Sequence, residues 1–373
     1  MKSRRALVVG GGITGSATSV VLSRSGWDVK LIEQEPVWSA LGSGISLIVP
    51  ALRALQRLGV LDDCLESGYV VETIEICDEQ SEIVHVARLP RPDEKSLPGL
   101  LGLMRPRLHD IFAAAAKEEG VDVRLGTTVV SVEEDEDGTL AIETSDGGTD
   151  EYDVLVAADG LHSKTRDLVT EPATPHFRGQ VIFRALVDKP REVKAAGQFM
   201  GSADVHAGFT PTGPESAYMF CLTPGDLQTR VTPEEAPGLM RERLAGFGGL
   251  AAEMRETIGP DSAVDYRPLE TLLLPPPTSR GNMVVLGDAA HATTPQLAAG
   301  ASMCLEDALV LGEELDREVP VAEALAAFSA RRWPRASFVV ERSIALSDAQ
   351  LRSDTARHSE LFDEAVGVLA EEY

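Results

Sequence analysis

Residues 6–33 read ALVVGGGITGSATSVVLSRSGWDVKLIE, and this stretch decides the fold. Ala6–Val9 is an apolar run that suits a buried parallel strand. Gly10, Gly12 and Gly15 follow in G-x-G-x-x-G spacing. A helix is expected over Ala17–Ser25, and Gly26 suits its stop. A second apolar strand, Val29–Ile32, ends on Glu33. Together they form a complete βαβ unit with its glycines and its acid in place, the pattern of a dinucleotide site. Gly10 allows the tight turn out of the strand. Gly12 lets a pyrophosphate approach the backbone. Gly15 lets the helix pack closely on the sheet. The helix N-terminus offers free N–H groups and partial positive charge to phosphates. Glu33 is expected to accept hydrogen bonds from a ribose.

The chain has 373 residues, 43% of them hydrophobic, enough for one large domain or two. Its net charge of −25 argues against nucleic acid and anionic membranes as partners. Glu133–Asp137 is expected as a hairpin tip in water. Cys64, Cys77, Cys221 and Cys304 are scattered, without metal or disulfide spacing, and fit a reducing cytoplasm. Arg4 and Arg5 resemble the start of a twin-arginine export signal, but the glycine motif takes up the apolar run behind them. They are read as solvated residues ahead of the first strand.

Further along, Gly42 and Gly44 mark a loop whose backbone suits a flat ligand. Helices are expected over Pro50–Gly59 and Met104–Glu119. Tyr152–Ala157 reads as a buried strand running into Asp159-Gly160. Leu89–Pro98 reads as a loop. From Gln180 to Ser262 the apolar runs are short and broken by Pro and Gly, which suits an inserted antiparallel sheet, with one or two helices over Pro233–Ile258. Met283–Gly287 returns as a strand leading into Asp288. A long helix is expected from about Ala301 to Leu315, and the last helices over Val321–Ser347.

Three motifs then stand in order: Gly10–Gly15 with Glu33, Asp159-Gly160, and Gly287-Asp288. With GSGISLIVPALRALQRLG, the R-x-x-L at Arg105–Leu108 and FSARRWPRA near the C-terminus, the chain resembles the class A, single-component FAD-dependent aromatic monooxygenases, the para-hydroxybenzoate hydroxylase-like family. The resemblance covers nearly the whole chain. It implies an α/β fold: a Rossmann-like FAD-binding domain (1–72, 98–175 and 272–373), an inserted antiparallel-sheet substrate domain (73–97 and 176–271), and C-terminal helices. It implies non-covalent FAD, NADH or NADPH as reductant, and O2, which adds at flavin C4a to give the hydroperoxide that hydroxylates an aromatic or heteroaromatic ring. The implied FAD contacts are Gly10, Gly12, Thr14, Gly15, Glu33, Gly44, Ile45, Arg105, Asp159, Gly160, Asp288, Pro295, Gly300 and Ala301. No metal is implied, and the protein is expected as a cytoplasmic monomer or homodimer.

The family usually reads P-x-x-G-Q-G where this chain has Pro295-Gln296-Leu297-Ala298-Ala299-Gly300. A left-handed turn at Ala298 would cost about 1 kcal/mol. His206 and Tyr218 lie where the resemblance places the substrate wall. The functional readings are a phenol-binding base and a ring contact; the bland ones are a surface strand residue and a cross-strand packing residue. Arg184 reads as a structural ion pair, with a substrate-anion partner as the alternative, and His291 as a buttress of its loop. Two other functions stay open: a flavin reductase without oxygen insertion, resembling geranylgeranyl reductases, and a non-catalytic FAD-binding protein.

Overall fold

The computed structural model describes residues 4–39, 42, 44–89, 97–201 and 204–372. Most of the expected 89–98 loop, and Ala40, Leu41 and Ser43, lie outside them. The strand Arg5–Val9 sits mid-sheet, paired in parallel with Val154–Ala157 on one side and Asp28–Glu33 on the other. The order continues through Met283–Val285 and Ser279–Arg280 at one edge and Asp122–Leu125 at the other. Ala6, Leu7, Val8 and Val154–Ala157 are buried on both faces, as a covered parallel sheet requires. Helices Ile13–Arg24, Arg105–Glu118 and Gly300–Leu315 cover one face and share its core. The parallel strands Arg5–Val9, Val154–Ala157 and Met283–Val285 end along one edge. Gly10, Asp159 and Gly287 therefore converge where doubly wound sheets bind ligands.

A seven-stranded sheet forms the second layer. Its strands run in the order Val264–Thr271, His176–Asp188, Ser216–Pro224, His206–Pro211, Ala196–Phe199, Thr73–Cys77, Ile83–Arg88. The pairings are antiparallel except one: Ala196–Phe199 runs parallel to Thr73–Cys77. The inserted sheet is thus mixed, because its last two strands come from an earlier segment of the chain. Phe183, Ala185, Ala207, Phe209, Met219 and Cys221 point to one face and pack under helices Ala236–Arg243 and Gly249–Glu256. Alternation sends Arg184, His206, Tyr218 and Phe220 to the other face. A small antiparallel sheet, Gly44–Ile48 with Leu100–Met104 and Tyr69–Val71, lies between the layers.

Three details differ from expectation. The last helices are one continuous element, Val321–Leu351, with Pro334 inside it, and a further helix, Thr355–Ala370. Leu361, Ala365 and Leu369 of the latter are buried at four-residue spacing. Arg5 is not merely solvated: it lies over the Tyr152 ring at 4.7 Å and donates to the Glu151 carbonyl at 2.6 Å. Arg4 likewise covers Trp27. The acidic run does cap a hairpin, but Glu134 turns back and accepts from the Asn282 amide at 2.9 Å.

Candidate active site

The helix Ile13–Arg24 begins without a side-chain cap and without an acid in its first turn. Its first internal bond runs from Ser16 N–H to the Gly12 carbonyl. The N–H groups of Ile13, Thr14 and Gly15 are left to face the end of the helix. Gly10 has φ +105°, and a β-carbon there would overlap the Ala158 carbonyl. A β-carbon on Gly15 would overlap the Gly10 carbonyl, whereas Gly12 faces open space. The cradle is thus tight where strand, turn and helix cross, and open where a phosphate would approach.

Gly11, which is outside the glycine pattern, is the peptide held most firmly. Its N–H donates to Glu33 Oε2 at 2.7 Å, and its carbonyl accepts from Trp38 Nε1 at 2.8 Å and contacts His109 Nε2 at 2.9 Å. Trp38 and His109 meet edge to face. Glu33 Oε1 accepts from the Glu35 amide, so the acid shapes the turn and keeps further lone pairs for a ribose. Sequence spacing gave no sign of Trp38 and His109, which come from distant segments.

Asp159 is engaged by its own loop. It accepts from the Ser163 hydroxyl, from the Lys164 and Thr165 amides at 3.1 Å, and from the Thr165 hydroxyl at 2.9 Å. These bonds tie Asp159 to residues 163–165. Gly160 follows with φ +81°. Asp288 opens the short helix Asp288–His291 behind Gly287. The Gly287 amide donates to Asp307 Oδ2 at 2.9 Å, and His291 Nε2 meets the same oxygen at 2.6 Å. Arg332 bridges Asp307 and Glu306, and Arg335 also holds Glu306. Burial pushes Asp307 up, yet His291 and Arg332 outweigh it and hold the carboxyl at about 2. Burial lowers His291, but Asp307 raises it overall. His291 is therefore a buttress, as its position suggested. Arg332 and Arg335 belong to the FSARRWPRA stretch, whose role the sequence left unassigned.

Pro295–Leu297 is a single 3-10 turn, and Ala298 follows at φ +50°, ψ +23°. Alanine adopts the left-handed conformation that the motif comparison warned of. Helix Gly300–Leu315 starts next, its first bond from Met303 N–H to the Ala299 carbonyl. This leaves the N–H groups of Gly300, Ala301 and Ser302 unpaired within the helix. The buried hydroxyls of Thr294 and Ser302 have no partner among the described residues.

On the facing sheet, the Tyr218 ring lies against Gly44, where a β-carbon would overlap it. The Tyr218 hydroxyl pairs with Ser46 Oγ at 2.6 Å, and Ser46 with Thr210 Oγ1 at 3.1 Å. Ile45 lies between Gly44 and Ser46 on the same strand. Phe220 neighbours both Tyr218 and His206, each with ring centres 6.2 Å apart. Burial, with His358 adding to it, lowers His206 to about 4, so the imidazole is neutral at pH 7. Arg105 starts helix Arg105–Glu118 beside Gly42.

The family model described as FAD binding domain matches residues 4–343. The chain belongs to this family of flavoprotein monooxygenases. A relative in Bacillus subtilis, the "Putative FAD-dependent monooxygenase YetM", is 32% identical over 98% of this chain and 99% of its own. The 2-heptyl-3-hydroxy-4(1H)-quinolone synthase of Pseudomonas aeruginosa is 30% identical over 90% of this chain and 87% of its own. Among solved structures, HpxO of Klebsiella pneumoniae, complexed with FAD and uric acid, superposes with a TM-score of 0.86. It covers 99% of this chain and 93% of its own at 23% identity, a likeness of fold. The family's cofactor fits the residues present: an open Gly12, two uncapped helix N-termini and two orphaned hydroxyls at the 294–302 turn are donors that FAD would satisfy.

Proposed function

We propose that this flavoprotein uses FAD, NADH or NADPH, and O2 to hydroxylate an electron-rich aromatic or heteroaromatic small molecule held on the Tyr218–Phe220 face. The observation that most supports this is the contact between Tyr218 and Gly44. It sets an aromatic, partly polar wall directly against the strand Gly44–Ile48, whose Gly44 and Ile45 are among the FAD contacts that the resemblance implies. Gly10, Gly12, Thr14, Gly15 and Glu33 would hold the adenosine and pyrophosphate, Arg105 and Gly160 the phosphate side, and Asp288 the ribityl chain. Pro295, Gly300 and Ala301, with Gly44 and Ile45, would frame the ring system. On this proposal, residues 1–72, 98–175 and 272–373 carry FAD, and 73–97 with 176–271 carry substrate.

Bound FAD supplies the redox chemistry and the activation of oxygen. The chain's own residues do the rest. The N-terminus of helix Gly300–Leu315 offers N–H groups to negative charge on the cofactor ring. Tyr218, fixed by Ser46, and Phe220 orient the substrate ring and keep water from it. His206, being neutral, accepts or donates one hydrogen bond and is a weak base. Among the described residues no helix is long and apolar enough to cross a membrane. The four cysteines are free and buried, which supports a reducing, cytoplasmic compartment.

The test is the absorption spectrum of the purified protein, followed by NAD(P)H oxidation and oxygen uptake with hydroxylated rings. Flavin absorption with ring-stimulated oxygen uptake and a hydroxylated product is expected. Flavin absorption with NAD(P)H oxidation but no oxygen-dependent product would favour a reductase instead.

A further inference from the structure

The strand Gly44–Ile48 serves both layers of the molecule. Leu47 is buried in the core of the parallel-sheet layer, and Ile45 packs against that core. Gly44 and Ser46 alternate to the other face and meet the seven-stranded sheet. Two glycines make that meeting close. A β-carbon on Gly44 would overlap the Tyr218 ring, and one on Gly102, the cross-strand partner of Ser46, would overlap the Pro211 carbonyl. Of Gly44, Ser46 and Ile48, which share this face, Ser46 alone has a polar side chain. Its Oγ reaches Tyr218 Oη at 2.6 Å and Thr210 Oγ1 at 3.1 Å. Tyr218 and Thr210 are themselves cross-strand partners, so the three hydroxyls form one compact chain across the junction.

Three hydroxyls carry three protons, and the two contacts use two of them. The third proton leaves the chain at one end. Among the described residues the Thr210 hydroxyl has no partner but Ser46, and Thr210 is buried. A chain ending at Thr210 would leave its O–H without an acceptor in a dry place, which is costly. The opposite direction avoids that cost: Thr210 donates to Ser46, Ser46 donates to Tyr218, and the Tyr218 O–H is the free donor. The Tyr218 ring neighbours Phe220 on the face proposed to hold the substrate. No proton changes its oxygen in this arrangement; only the direction in which each hydroxyl turns is set.

We infer that Ser46 and Thr210 are positioning residues that act through Tyr218, turning its O–H towards an oxygen on the substrate ring. The inference rests on the proposed hydroxylase site and narrows its substrate class to rings that bear an oxo or hydroxyl oxygen. Ser46 belongs to a strand that would frame the cofactor, so the same hydroxyl ties the substrate's anchor to the cofactor's surroundings.

The experiment uses the oxidised FAD-loaded protein without reductant. Quinolin-4(1H)-one is titrated beside 4-methylquinoline, and 2-naphthol beside 2-methylnaphthalene, with binding read from perturbation of the flavin absorption. Each oxygen-bearing ring is expected to bind about fivefold more tightly than its methyl partner, the worth of one net hydrogen bond. Tyr218→Phe should abolish the preference, Ser46→Ala should remove most of it and Thr210→Val part of it, while the affinity for the methyl partners stays. Ser46→Thr, which keeps the hydroxyl, should retain the preference. Equal binding of both partners by the native protein, no perturbation by any of the four rings, or an undiminished preference in Ser46→Ala would overturn the inference. So would equal loss of both partners in Ser46→Ala, which would make the serine a purely structural link. An undiminished preference in Thr210→Val would overturn the direction assigned to the chain. A preference lost in Ser46→Ala, with no oxygen-dependent product from the native protein, would uphold the positioning role and sink the hydroxylase proposal alone.

Discussion

The nucleotide cradle and the aromatic face of the seven-stranded sheet meet at Gly44, yet they are assembled in opposite ways. The cradle's main parts lie within residues 6–33, where strand, turn and helix constrain one another at short range. The face draws its side chains from separate strands: Arg184, His206, Tyr218 and Asp265 become neighbours only through cross-strand register. The cradle is held by backbone geometry, so its tolerance to a single methyl group is small. The face is held by side-chain contacts, so substitutions there should alter chemistry more than folding.

The largest effect is expected at the cradle. Gly15→Ala places a methyl group on the Gly10 carbonyl. The variant should purify with little or no flavin, read from the ratio of flavin to protein absorption, and with a clearly lower Tm. A fully yellow Gly15→Ala protein would show that the turn relaxes freely. Next comes the buried network behind Gly287. Asp307→Ala takes the carboxylate from His291 and leaves Arg332 to Glu306. It should cost about 3–5 kcal/mol in denaturant unfolding and weaken FAD retention with it. A loss below about 1 kcal/mol would mean that the network is worth no more than a surface pair.

The face should respond more mildly. Folding depresses His206 from its ordinary 6.5 to about 4. The unfolded chain then binds more protons than the folded one between these values, so stability is lost as pH falls through that window. His206→Asn should flatten the decline in Tm between pH 6.5 and 4, leaving the steeper loss below about pH 4 from Asp307. With His206 neutral above pH 5, the profile of kcat/KM should show no limb near 6.5 from this residue. Tyr218→Phe removes the hydroxyl bonded to Ser46 and should cost about 1 kcal/mol in stability, with a larger fall in kcat/KM if the ring orients substrate. The smallest change is expected at Ala298. Glycine there relieves the left-handed strain and should raise stability by up to about 1 kcal/mol, less the entropy it adds to the unfolded chain. A lower Tm in Ala298→Gly would show that the alanine methyl is packed to advantage.

Motif wording made the FAD-binding family legible, and alternation made the sheet legible. The positive φ at Ala298 was legible too, because a departure from a glycine pattern names the position where strain collects. Other features had no local trace. Gly11 is pinned by Glu33, Trp38 and His109 from three segments. Asp159 turns its carboxylate onto residues 163–165. The arginines of FSARRWPRA find Glu306 and Asp307 on a neighbouring helix. Helix Thr355–Ala370 did carry a signal, its four-residue apolar spacing.

By itself, the sequence determined the βαβ unit, the order of the three cofactor motifs and the family, because each depends on residues a few positions apart whose backbone conformations are mutually restricting. The tertiary structure alone decided which charges are paired and that His206 is neutral. Those properties depend on burial and on partners distant along the chain, and short-range spacing carries no information about either.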